Sequence, residues 1–349
     1  MRRRDFLKTS GLAAAALGVG KATEAAADLA RPSIVARTVE LTVASPWKSG
    51  RGGFPESVSN FVQRLQAAAG PRLRLRANIL AQDSFDAVTS GAADLYFGPV
   101  QASVTHHPAF AYFAGLPGQS GLAPDALAGW LRDGGGQALW DETSALFGVK
   151  SILVGHTGPS PGFWSARRIR SLSDISAEQI YVGGLAGEVI KGLGAKPSSA
   201  APSEVTGKLA RAEIFAAEWG SASQSLSAGF PAVAKFCTAS AITQQGSALA
   251  LTIRRSNWER FEPGLQNAIT ATAGQEFNRS LADSRDGDAA MRDALREALQ
   301  IAFIPLPGDV SAAIDRISGA VVADVATYDG HAGRINQSYL DFRHRALTI

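Results

Sequence analysis

An acid beside a large aromatic, closing a short apolar run, is the arrangement in this 349-residue sequence best suited to holding a small molecule. The run is Ile214-Phe-Ala-Ala-Glu-Trp219. Burying a carboxylate without a partner is expensive, so Glu218 is expected at a cleft, a cation or a hydrogen-bond cluster. Trp219 would supply a flat apolar wall. A solvated Glu218 at a strand end, with Trp219 in a core, is the alternative that these residues leave open. A second signal is Gly183-Gly184-Leu-Ala-Gly187, which follows an apolar strand at 179–182 and opens a helix. Backbone N–H groups at such a turn can face a cleft. Val182 stands where a dinucleotide fingerprint needs its first glycine, and a tight turn packing a helix accounts for the glycines equally well.

Reaction chemistry is hard to find. There is no Gly-x-x-x-x-Gly-Lys-Ser/Thr loop, no His-Glu-x-x-His and no cysteine cluster, and no Gly-x-Ser-x-Gly elbow. The five histidines are scattered, and the adjacent His106 and His107 would point to different faces. Cys237 is the one cysteine, so no intrachain disulfide is possible. Nothing nearby would activate its thiol, and it reads as a buried packing residue.

The elements that must position these residues alternate along the chain. Thr38 to Ala44 is β-branched and alternating, and predicts a strand. Pro55 opens a helix to Ala69 with Val58, Phe61, Val62 and Leu65 on one face. Arg72, Arg74 and Arg76 share one face of the next strand, most simply a solvated one. A short helix at 84–90 and a strand at Asp94 to Phe97 follow. This βαβαβ rhythm predicts an α/β domain with a largely parallel sheet. Pro124 to Phe147 is helical, broken at Gly134-Gly-Gly136. Lys150 to Val154 and Ser247 to Ile253 read as strands, and a second set of strands and helices lies between them. Beyond Ser256 the chain is mostly helical, apart from an extended piece at 302–305.

The sequence carries 34 Lys and Arg against 31 Asp and Glu. Its first 27 residues read as an export signal: a basic start with Arg3-Arg4, an apolar stretch from Gly11 to Gly20, and Ala25-Ala-Ala27 for cleavage. The Arg pair followed by Asp5-Phe-Leu-Lys8 resembles a twin-arginine signal, so the mature protein is expected in the periplasm. Removing the five basic and two acidic residues of that segment leaves 29 of each sign. The basicity therefore belongs to the export signal and predicts no nucleic-acid partner. No stretch reaches about 18 consecutive apolar residues, so no transmembrane helix is expected.

The segments, in order, resemble the solute-binding proteins of tripartite ATP-independent periplasmic (TRAP) transporters, in the branch linked to 2-oxoacids and other small organic acids. The matching stretches include Phe85 to Asp94, Ala111 to Pro117, Gly134-Gly-Gly-Gln-Ala-Leu-Trp-Asp-Glu142, Ile169 to Asp174, Gly187-Glu-Val189 and Ala216-Ala-Glu-Trp219. The resemblance covers roughly residues 38–255 and implies an α/β, periplasmic-binding-protein-like fold. Two α/β domains joined by hinge strands would close on a ligand, with extra C-terminal helices. Domain I would take 38–155 plus about 247–300, domain II 156–246, and the C-terminal helices 308–347.

The resemblance also implies a binding site, and here the sequence departs from the family. An Arg that grips the substrate carboxylate is replaced by Tyr181. A guanidinium donates two parallel charge-assisted bonds, whereas a Tyr donates one neutral bond. His156 stands where Asn is usual and Ser160 where a metal-ligating Gln is usual. Glu218 and Trp219 are kept, and Gln244 falls at a later metal-side Glu. The expected ligand-binding set is Tyr181, Trp219, Glu218, His156, Ser160 and Gln244. No cofactor is required, and Glu218, Trp219 and Gln244 would hold at most a weakly bound cation such as Na+ or Ca2+. Two ligand readings follow: a neutral or differently anchored solute, favoured on charge, or a small acid held by protonated His156, Tyr181 and the helix N-terminus. The partners implied are a small organic solute and TRAP membrane permease subunits; the C-terminal helices, Val310 to Thr327 and Gly333 to Ala346, leave two arrangements open, exchange between subunits in a homodimer or packing in cis. No catalytic activity is expected. A periplasmic enzyme and a sensory module presenting ligand to a receptor are the alternatives on the same fold.

Overall fold

The structure, a computed structural model, describes residues 38–47, 50, 52–80 and 84–347. The export segment expected at residues 1–27 lies outside them. From Thr38 onward the chain forms one compact unit, built on two sheets.

The first sheet has the order β2-β1-β3-β10-β4, with β1 at Val39–Ser45, β2 at Leu73–Leu80, β3 at Leu95–Pro99, β4 at Val149–His156 and β10 at Ala248–Arg254. Strands β1, β2 and β3 are parallel. Strand β10 inserts antiparallel between β3 and β4, setting Leu251 opposite both Phe97 and Ile152. The sheet is therefore mixed, where the βαβαβ rhythm predicted a largely parallel one. That rhythm ends at residue 97, and the strand that breaks it arrives 150 residues later.

The second sheet has the order β11-β9-β5-β8-β6-β7. Its strands are short: β5 at Phe163–Ser165, β6 at Gln179–Tyr181, β7 at Lys196–Pro197, β8 at Ala216–Glu218, β9 at Phe236–Thr238 and β11 at Ala302–Ile304. Strand β5 runs antiparallel to β8 and β9, while β6 is parallel to β7 and β8.

Helices cover both sheets. The first lobe uses α1 (Gly53–Ala69), α2 (Ser84–Thr89), α3 (Phe110–Ala114), α4 (Pro124–Asp133) and α5 (Gly136–Ala145). The second uses α6 (Ala186–Gly192), α7 (Val205–Ala210), α8 (Ala222–Ser227) and α9 (Phe230–Val233). The C-terminal part adds α10 (Arg255–Arg260), α11 (Pro263–Ala298), α12 (Gly308–Ala326) and α13 (Gly330–Leu347).

One face of the first sheet packs Phe61, Leu65, Leu251 and Ile269 together. Its other face packs Phe113, Trp130, Trp140 and Tyr339, with the Phe113 ring stacked between the two indoles at 5.4 and 5.3 Å. Each ring of this kind removes a large apolar surface from water, worth a few kcal/mol. The second sheet has its own two cores, one around Ile180, Ile190 and Ile314, the other around Trp164, Phe230 and Leu295. The arginine stripe of β2 is a solvated face: Arg72, Arg74 and Arg76 are exposed, and Arg76 pairs with Glu40 across to β1 at 3.1 Å.

Helix α11 reaches from the first lobe, where it buries Ile269 and Ala273, to the second, where it buries Leu295. Helix α12 packs Ile314 and Ile317 on the second lobe, and α13 packs Ile335 and Tyr339 on the first. Two extended segments also join the lobes side by side: the Thr157 N–H donates to Ser247 O at 2.9 Å, and the Ser247 N–H donates to Thr157 Oγ1 at 2.8 Å.

Candidate functional site

Parallel strands present their C-terminal ends to a common crevice, and ligands of α/β sheets bind there. This chain follows the rule. The loop after β1 delivers Trp47, the end of β3 delivers Pro99 and Gln101, the end of β6 delivers Tyr181 and Gly183, and the end of β8 delivers Glu218 and Trp219. Together they wall a cleft of about 560 Å³, counting the part open to solvent.

Aromatic faces dominate one side. Trp47 stacks on Phe54 at 4.8 Å. Phe54 lies 6.1 Å from Trp219, and Trp219 lies 5.9 Å from Tyr181 and 5.3 Å from Phe230. Glu218 sits beneath. Its two carboxylate oxygens accept the Ile242 and Thr243 backbone N–H groups, each at 2.9 Å. Burial pushes its carboxyl up to about 7, and the two N–H bonds pull the other way. The expectation of a hydrogen-bond cluster at Glu218 thus has a specific form: the acid clamps the turn at 242–246 onto the end of β8. Burial likewise pushes the Tyr181 phenol up, so it is present as a neutral O–H. The Gln101 carboxamide closes the far side against Gly183, where a Cβ would meet Gln101 Oε1 at 1.9 Å. Only a glycine lets the two lobes touch at that point. None of the described residues lining the cleft is Lys, Arg or His.

Of the six residues expected from the sequence, Tyr181, Glu218 and Trp219 come together in the cleft wall. The other three do not line it. His156 is buried behind Thr157: its backbone N–H donates to Ser280 Oγ at 3.1 Å, and its Nδ1 accepts the Gly158 N–H at 3.1 Å. With Nδ1 accepting and burial pushing the imidazole down to about 3, the ring is neutral. The reading in which a protonated His156 holds an acid is therefore corrected: in this environment the charge would be desolvated and unpaired. Ser160 Oγ accepts the Gly162 N–H at 3.3 Å within its own loop. Gln244 occupies a tight turn closed by the Gly246 N–H on Thr243 O at 3.0 Å, and its neighbours Thr243 and Gly246 line the cleft instead. The helix after Gly183-Gly184 is α6, only seven residues long, and too short to present a strong dipole. Among the described residues no group of three His, Cys, Asp or Glu side chains is placed to hold a metal. A hard cation beside Glu218 would find one carboxyl, already engaged by two N–H groups, and so would be held weakly. Cys237 is buried, as expected.

The sequence reading missed Trp47, Phe54, Gln101 and Thr157. For Trp47, Gln101 and Thr157 the signal was positional: each follows closely on the C-terminal end of a strand in the first sheet, whereas Phe54 stands in the first turn of α1.

A family profile described as bacterial extracellular solute-binding protein, family 7, matches residues 81–327. A monocarboxylate 2-oxoacid-binding periplasmic protein of a Nostoc strain is 24% identical over 354 residues, covering 100% of this chain and 95% of the relative. A TRAP transporter solute-binding protein of Bordetella bronchiseptica, with copurified calcium and picolinate, superposes with a TM-score of 0.83 at 20% identity, covering 89% of this chain and 94% of that one. A TRAP periplasmic solute-binding protein of Pseudoalteromonas atlantica with bound sodium and pyruvate gives a TM-score of 0.82 at 22% identity, covering 89% and 96%.

Proposed function

This chain belongs to the bacterial extracellular solute-binding protein family 7, and from that membership we propose that it captures a small organic solute in the Tyr181–Trp219 cleft and delivers it to a TRAP-type permease. The protein is a receptor and carries out no reaction. Export by the twin-arginine route places it in the periplasm already folded. Domain closure joins the lobes around the Thr157–Ser247 pair. Assembly through α12 and α13 into a homodimer is a separable part of the reading, decided by the mass in solution from light scattering.

The observation that carries the ligand side is the absence of a basic side chain among the described residues of the cleft wall, with Tyr181 at the position where the resemblance implies an arginine. From the described residues a carboxylate entering it would lose its hydration and gain neutral donors such as the Tyr181 hydroxyl, the Gln101 amide and the Trp219 indole N–H. Leaving a charge short of partners in such a place costs several kcal/mol. The proposed solute is therefore uncharged at its anchored end, unlike the pyruvate and picolinate of the two structural relatives. Glu218 supports a cation only weakly, so none is required. A thermal-shift comparison of matched acids and amides tests this. Amides are expected to raise the melting temperature, and pyruvate to leave it nearly unchanged. Strong stabilisation by pyruvate would overturn the neutral anchor.

A further inference from the structure

The cleft does not end at its aromatic wall. Trp47, Phe54, Pro202 and Trp219 each line a second hollow as well, of about 830 Å³ counting its open part. The outer hollow is framed by the Phe54, Trp219 and Phe230 rings, with Thr206, Gln224 and Ser227 between them. None of the described residues lining it is charged. It is larger than the inner cleft and shares a wall with it.

Two buried polar atoms in that wall have no protein partner: the Trp219 Nε1–H, a donor, and Gln224 Oε1, an acceptor. Only two other buried side-chain polar atoms among the described residues share that condition, Trp140 Nε1 and Ser318 Oγ, and neither residue lines a cleft described above. Buried polar atoms are nearly always satisfied, so an unmet pair on one wall marks a place where something else completes it. The carboxamide can turn to offer nitrogen instead of oxygen, so it suits hydroxyls and amides equally.

We propose that the outer hollow is a second ligand subsite, and that the solute is an elongated, uncharged molecule. Its head anchors at Tyr181 and Gln101, a flat apolar middle lies along the rings of Phe54 and Trp219, and a hydroxyl or carboxamide tail reaches Gln224. The aromatic faces reward a planar middle. With no charge among the described lining residues, an acidic or basic tail would find no counter-charge there. A three-carbon solute would fill the inner cleft alone.

This inference rests on the receptor reading above, and the test separates the two. Calorimetry on the mature protein compares acetamide with 4-hydroxyphenylacetamide, and pyruvate with 4-hydroxyphenylpyruvate. It is repeated on Ser227→Trp, which fills the outer hollow from an exposed position, and on Gln224→Leu. The extended amide is expected to bind at least about tenfold tighter than acetamide, close to what one buried ring is worth. Ser227→Trp should erase that advantage and Gln224→Leu should reduce it, both leaving acetamide unchanged. The same pattern in the acid pair alone would uphold the second subsite and overturn the neutral anchor. Short members binding with no advantage for the extended ones, or an advantage that survives both substitutions, would overturn the subsite and leave the receptor reading intact. No binding by any of the four would overturn both.

Discussion

Glu218 and His156 are buried close to the same cleft wall and respond to pH in opposite senses. The Glu218 carboxyl is raised from 4.5 to about 7. The folded protein therefore holds that proton more tightly than the unfolded chain does. The resulting stability is complete below pH 4.5 and is lost as pH rises through 7. The His156 imidazole is lowered from 6.5 to about 3. Its stability is complete above pH 6.5 and is lost as pH falls toward 3. Each effect is on the order of a few kcal/mol. Between pH 4.5 and 6.5 the two oppose, and urea unfolding of the wild type is expected to change little there. His156→Asn should uncover stability falling with rising pH, and Glu218→Gln stability rising with it. Glu218→Gln should also cost about 1–3 kcal/mol, because Gln keeps a single oxygen for the two N–H groups of Ile242 and Thr243. Parallel pH profiles in the two variants would contradict the assigned environments. Tyr181 yields a third test. Tyr181→Arg introduces a bidentate cationic donor and should strengthen pyruvate binding by at least about tenfold; calorimetry with no gain would show that position 181 is not the anchor. Glu218 and Trp219 were legible in the sequence because an acid ending a buried run demands a partner. His156 was named from the resemblance, by its place in the segment Gly155 to Ser160; that its side chain turns inward, with Nδ1 accepting the Gly158 N–H, is not marked in the local sequence.

At the scale of elements, the two connecting segments touch so closely that a side chain between them is excluded. A Cβ on Gly246 would lie 1.9 Å from Gly158 O, and Gly246 holds φ at +81°. Gly246→Ala should therefore destabilise the protein by more than about 2 kcal/mol. Gly274 is the contrast: it lies exposed inside α11 with nothing within 4 Å, and Gly274→Ala should stabilise by about 1 kcal/mol through helix propensity. Chemical denaturation of the pair measures both. Most strands and helices were visible as periodic patterns, including the break between α4 and α5 at Gly134-Gly-Gly136. Phe54 was not placed on a face, because α1 begins at Gly53 and not at Pro55, and its ring joins the aromatic wall. Trp47 and Gln101 sit in loops and 3-10 turns, where no period announces which side chain faces the cleft. The direction of β10 was also hidden, since nothing local in Ala248–Arg254 distinguishes parallel from antiparallel pairing.

For the whole molecule, the contact of Gln101 with Gly183 and Gly184 joins the two lobes across the mouth of the cleft. A Cβ on Gly184 would lie 3.3 Å from the Gln101 Cβ, near the spacing of a disulfide. The double variant Gln101→Cys, Gly184→Cys is expected to oxidise spontaneously, at a small cost for the left-handed backbone of Gly184. Its free thiols would fall from three to the one of Cys237, and ligand uptake would stop until the bond is reduced. Persistence of all three thiols under mild oxidant would mean that the lobes stand apart in solution.

Strand order has one more consequence, for the history of each molecule as it is made. In the first sheet β4 touches only β10, which is translated about 100 residues later, and in the second sheet the edge of β9 waits for β11 at Ala302–Ile304. Neither lobe can finish on the ribosome before nearly all of the chain has emerged. A message truncated before codon 248 would lack both β10 and β11, leaving β4 unpaired and the edge of β9 open, and such edges invite aggregation and proteolysis.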